Sequence, residues 1–98
     1  MYVVVNHTIH NPETAFPRGA RMINGEGAPE GVRVLQFYPA RDGSAVACLW
    51  ESGSVQDVQK YTDETLGDSA TNHCYEVDAE QAFFERPLGL ASSAPVGQ

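Results

Sequence analysis

Basic residues are scarce in this chain. Six Lys and Arg stand against 13 Asp and Glu, for a formal net charge of −7. Binding to nucleic-acid phosphates or anionic lipid needs a clustered positive patch. Arg18, Arg21, Arg33, Arg41, Lys60 and Arg86 are scattered instead, so neither nucleic acid nor a membrane is an expected partner. Long apolar runs are also lacking. The run Tyr2-Val3-Val4-Val5 is too short for a signal-peptide core and follows no basic segment. Nothing approaches the ~20 apolar residues of a membrane span. Cysteine is limited to Cys48 and Cys74, without CxxC spacing. Two such thiols are expected to be reduced, in a cytoplasmic protein. No Gly-rich phosphate loop follows a strand, because Gly25, Gly27 and Gly31 lie in a Pro-containing loop. No nucleotide cofactor is therefore expected. A G-x-S-x-G nucleophile elbow is absent as well.

What is present fits one small domain. A chain of 98 residues buries only about 60–65% of its unfolded surface. Its hydrophobic fraction, 42%, sits just under the usual globular range of about 45–50%. The core is thin, and burial against a partner subunit would add to it.

Met1 to Ile9 reads as a strand, rich in Val and Thr. Asn11-Pro12 ends it, since the residue before proline is held in an extended conformation. Pro12 to Ile23 carries Ala15, Phe16, Ala20 and Met22 at helical contacts, although Pro17 interrupts the pattern. Residues 24–31 form a Gly/Pro loop. Val32 to Pro39 and Ser44 to Ser52 are strands joined by a turn carrying Asp42-Gly43. Regular alternation places Leu35 and Phe37 with Ala45, Ala47 and Leu49. It places Val34, Gln36 and Tyr38 with Val46, Cys48 and Trp50. Both sets are mostly apolar, so both faces are expected to be covered.

Ser54 caps a second helix with Asp57 three residues on, and Val55, Val58, Thr62 and Leu66 form its buried stripe. Gly67 stops it. Asp63-Glu64 reads as part of its solvated face. Thr71 to Val77 is a fourth strand, and Asp78 starts a last helical turn through Phe83 and Phe84. Residues 1–86 form the domain, and 87–98, rich in Gly, Ser, Pro and Ala, read as a flexible tail.

The order β-α-β-β-α-β is the split βαβ, or ferredoxin-like, pattern of an α+β protein. It gives a four-stranded antiparallel sheet with helices on one face. A twin subunit's sheet is the economical cover for the other face, which makes a homodimeric α/β barrel.

The stretch Ser44-Ala45-Val46-Ala47-Cys48-Leu49-Trp50-Glu51, leading into a capped helix and a final strand, resembles a small family of ferredoxin-like proteins. That family carries a Cys-apolar-aromatic-Glu motif on its third strand, and some members are described as nickel-binding. The opening Met1-Tyr2-Val3-Val4 is similar in style. The sequence departs from the family in its first helical region, which is shortened and broken by Pro17. The resemblance implies a homodimer and a bound nickel or other transition metal. The wider dimeric α/β barrel superfamily also holds cofactor-independent monooxygenases, isomerases, cyclases and haem-binding enzymes, among which fold alone does not choose.

Two constellations could carry chemistry. The first is a metal site at His7, Cys48 and His73, since imidazole with thiolate suits nickel, zinc or copper. In the usual strand order 4-1-3-2 these three approach if their parities agree. The same order puts Cys48 and Cys74 two strands apart, about 9.6 Å, beyond the ~7 Å reach of a disulfide. The second is a small-molecule pocket. Trp50, Tyr38 and Tyr75 supply aromatic walls with Phe16 and Phe37, and Gln36 supplies a polar point with Asn6, His7, Asn72 and His73. There His7 or His73 would act as the base of a cofactor-independent enzyme.

Overall fold

A computed structural model of the chain describes residues 1–86. The expected tail, 87–98, lies outside the described residues. The order is β1 (Tyr2–Ile9), α1 (Pro12–Ile23), β2 (Arg33–Pro39), β3 (Ala45–Glu51), α2 (Val55–Leu66) and β4 (Ala70–Glu76), with a short 3-10 turn, Gly67–Ser69, before β4. The strands form one antiparallel sheet in the order β2-β3-β1-β4. This is the ferredoxin-like α+β fold. Among the described residues, no helix is long and apolar enough to cross a membrane.

Local chemistry accounts for the boundaries. Pro12 opens α1, where a missing N–H costs nothing, and the Asn11 side chain accepts from the Glu13 N–H. Pro17 sits inside α1 on its exposed side, and the helix continues past it. Ser54 caps α2 by accepting from the Asp57 N–H at 3.1 Å. Gly67 ends α2 at φ +56°, a conformation that disfavours side chains. There the Arg18 guanidinium donates to the Leu66 carbonyl at 2.8 Å and ties α1 to the end of α2. The helical turn expected after Asp78 shrinks to a single turn closed on the Asp78 carbonyl, and Phe83 and Phe84 are left exposed.

The core lies between the helices and one face of the sheet. Val3, Val5, Trp50, Val58 and Thr62 are almost completely buried there. The pleat sends Tyr2, Val4, Asn6 and Thr8 of β1 to the opposite, open face. One expectation fails on β2. The ladder runs Val34↔Trp50, then Gln36↔Leu49, then Phe37↔Cys48, so Leu35 is an extra residue, a β-bulge. Past it the faces are exchanged. Phe37 joins Cys48 on the helix side, while Gln36 and Tyr38 join Leu49 and Ala47 on the open side.

Candidate functional site

Between α1 and the sheet lies a cavity of about 250 Å³. Ala15, Phe16, Gly19 and Met22 of α1 roof it, and His7, Cys48 and Trp50 are part of its floor. Phe37, brought round by the bulge, closes one wall. A wider depression of about 530 Å³ borders Met1, Tyr2 and residues 76–80. The smaller cavity is the better candidate because its lining holds buried polar groups amid apolar walls.

Those groups are His7 and Trp50. Among the described residues, the buried side-chain nitrogens left without a hydrogen-bond partner are His7 Nε2 and Trp50 Nε1. Buried polar atoms are rarely orphaned, and each orphan calls for an explanation. The Trp50 indole packs edge-on against Tyr61, ring centroids 6.0 Å apart, which fixes it against α2. Its N–H points to no acceptor within hydrogen-bond geometry.

The other nitrogen of His7 is held firmly. Nδ1 lies 2.6 Å from Asn72 Oδ1, across the β1–β4 pair His7↔Asn72. The Asn72 amide N–H donates to Asp63 Oδ1 on α2 at 2.9 Å. Gln59, one helical turn before Asp63, donates to both carboxylate oxygens at 3.1 Å and to the Asn72 main-chain oxygen at 2.8 Å. Burial pushes the His7 pKa down, with the Asn72 bond opposing it, so the ring is neutral at neutral pH. Burial also raises Cys48 to about 12 and Cys74 to about 11. Both stay as uncharged thiols. Cys48 and Cys74 are free and flank Val5 on opposite sides of β1, two strands apart as expected.

The sheet divides the sequence-derived sites. His7 and Cys48 face the helices, but His73 pairs with Asn6 and is exposed on the open face beside Tyr75. The three therefore do not meet within one chain. Among the described residues, no group of three His, Cys, Asp or Glu stands close enough to hold a metal ion. Of Gln36, Tyr38, Trp50 and Tyr75, only Trp50 lines the cavity. The pleat carries Tyr75 to the open face, and the bulge carries Gln36 and Tyr38 there. Asp63 is the residue the sequence concealed. It is exposed, in an ordinary helical charge pattern, and only the folded chain brings it to Asn72.

Comparison with protein-family models and with curated proteins gives no match. Among solved structures, the chain is similar to the structure of Rv0793 from Mycobacterium tuberculosis, with 16% identity, a TM-score of 0.46, and coverage of 93% of this chain and 98% of that one.

Proposed function

We propose that this chain binds a small, largely apolar molecule in the cavity under α1, through a hydroxyl or another hydrogen-bond donor. One observation carries the reading: His7, part of a mostly apolar cavity lining, has a buried Nε2 without a hydrogen-bond partner. An orphaned acceptor costs about 1–3 kcal/mol, and a ligand that donates to it recovers that. The Trp50 N–H offers the complementary donor for a second polar atom of the ligand.

A catalytic reading extends the binding one. A base whose far nitrogen is held by an orienting group has the arrangement of general-base sites. Here Asn72 orients His7, and Nε2 would take a proton from a bound phenol or enol. That fits a cofactor-independent monooxygenase, cyclase or isomerase. The transition-metal reading draws no support from one chain, whose His73 faces away from His7 and Cys48.

The functional unit we propose is a homodimer joined through the open sheet face. Tyr2 and Tyr75 are exposed there, beside half-buried Val4, Tyr38, Ala47 and Leu49. Free thiols support a reducing, cytoplasmic setting.

The test is binding of 1-naphthol, followed by calorimetry, to the wild type and to Gly19→Leu. Gly19 lines the cavity, and a Cβ there meets no atom within 4 Å outside its own stretch of helix, so a side chain has room to start into the space a ligand would take. Loss of the helical glycine adds ~0.5–1 kcal/mol of stability. The expected result is one naphthol per wild-type chain and none on the stabilised variant. Equal binding to both would place the ligand elsewhere and overturn the reading.

A further inference from the structure

We infer that Asp63, outside the cavity, fixes the hydrogen-bond polarity that His7 presents inside it, so that the site selects ligands that donate a hydrogen bond over those that only accept one. The inference rests on the cavity reading above and adds the property that chooses its ligand.

An ionised carboxylate can only accept. Asp63 therefore takes the N–H side of the Asn72 amide, at 2.9 Å. That leaves Asn72 Oδ1, also an acceptor, 2.6 Å from His7 Nδ1. Nδ1 must supply the proton. A neutral imidazole has one N–H, so Nε2 is left as a bare lone pair. Three links thus carry the sign of a charge on α2 to the cavity floor.

Without Asp63, the Asn72–His7 pair has two arrangements of comparable energy. The amide oxygen can accept from Nδ1–H, or the amide N–H can donate to a bare Nδ1, and each makes one hydrogen bond. The second arrangement moves the ring proton to Nε2 and turns the cavity into a donor. Asp63 selects the first through a charge-assisted bond, and Gln59 holds the carboxylate in place with two hydrogen bonds of 3.1 Å. In this scheme Asp63 is a positioning residue, because it acts on the ligand only through Asn72 and His7.

The selection has a chemical meaning. A phenol, an enol or an N–H compound satisfies Nε2. An ether or ketone of the same shape leaves it unpaired, and an anion meets a lone pair in an apolar cavity. The preferred ligands are neutral and hydroxylated.

The experiment reads the His7 tautomer directly, by ¹⁵N NMR of the imidazole in the ligand-free protein. Wild type and Asp63→Glu are expected to show a protonated Nδ1 and a bare Nε2. Asp63→Ala is expected to show a mixture. In Asp63→Lys the new ammonium donates to Asn72 Oδ1, the amide turns over, and the proton moves to Nε2. Asp63 is exposed, and thermal melts check that each variant is folded. If His7 keeps the wild-type tautomer in both folded Ala and Lys variants, the inference is overturned, whatever the cavity binds.

The second readout compares 1-naphthol with 1-methoxynaphthalene, which lacks the donor. Wild type is expected to prefer naphthol by about tenfold, and Asp63→Lys to bring the ratio to one or below. A tautomer that moves while the ratio stays fixed overturns the selection. A tautomer that moves in the Asp63 variants, when the wild type binds neither compound, supports the positioning role and overturns the cavity reading instead.

Discussion

A single step along β1, from Val4 to Val5, crosses the whole sheet. Val5, His7 and their neighbours Cys48 and Trp50 face the helices in a buried interior, where burial moves the ionisation of His7 and Cys48. Val4 and Asn6, with Tyr75 and His73 alongside, face outward and are partly or fully exposed. The residue types on the two faces overlap: each has an aromatic, a histidine and small aliphatics. What separates them is solvent. The same imidazole is a tuned acceptor on one side at His7 and an exposed group on the other at His73.

The sharpest way to break that contrast is to remove one aromatic from each face. Trp50→Ala deletes a fully buried ring and is expected to cost about 3–5 kcal/mol in urea denaturation. The next effect appears at alkaline pH. The folded chain holds the Cys48 thiol up to about pH 12, whereas the unfolded chain ionises near 9, so the contribution is complete below 9 and is lost as pH rises between them. The difference in stability between wild type and Cys48→Ala should shrink across that window.

A smaller effect of the same kind is expected in acid. His7 has a lowered pKa, so below its ordinary value of 6.5 the unfolded chain takes up a proton that the folded site refuses. Stability present above 6.5 is lost as pH falls toward the folded value. His7→Gln should flatten that slope, measured by denaturation from pH 7 downward. The smallest change is expected at Tyr75→Ala, about 0.5 kcal/mol or less in the unfolding of dilute chain. Its effect on the proposed dimer should appear instead in solution mass, as a shift toward monomer. A Tyr75→Ala loss as large as that of Trp50→Ala would erase the contrast between the faces.

The fold was largely legible in the sequence because its signals are local. Asn11-Pro12, Asp42-Gly43, Ser54 and Gly67 mark ends that the folded chain respects to within about a residue, the usual ambiguity of such boundaries. The grouping of the candidate residues was not legible. His7, Cys48, Trp50 and Asn72 were all marked as chemistry, yet which of them share a face depends on register across strands far apart in sequence. His73 sits beside Asn72 in sequence and on the other side of the sheet in space. Phe37 was assigned to the wrong face because one extra residue in β2 leaves no compositional trace. Asp63 looked like any exposed helical carboxylate, and its role exists only once α2 packs beside β4.

That extra residue, Leu35, has a further consequence. Among the described residues, β2 is a free edge of the sheet, with a row of main-chain groups that no strand satisfies. A straight edge of that kind is a template for uncontrolled growth, strand upon strand, in a crowded solution. The bulge interrupts the template halfway along. Deleting Leu35 would leave Gln36 opposite Leu49 and Phe37 opposite Cys48, so the cavity wall would survive, but the edge would become regular. Such a deletion should cost the protein its resistance to aggregation before it costs the fold.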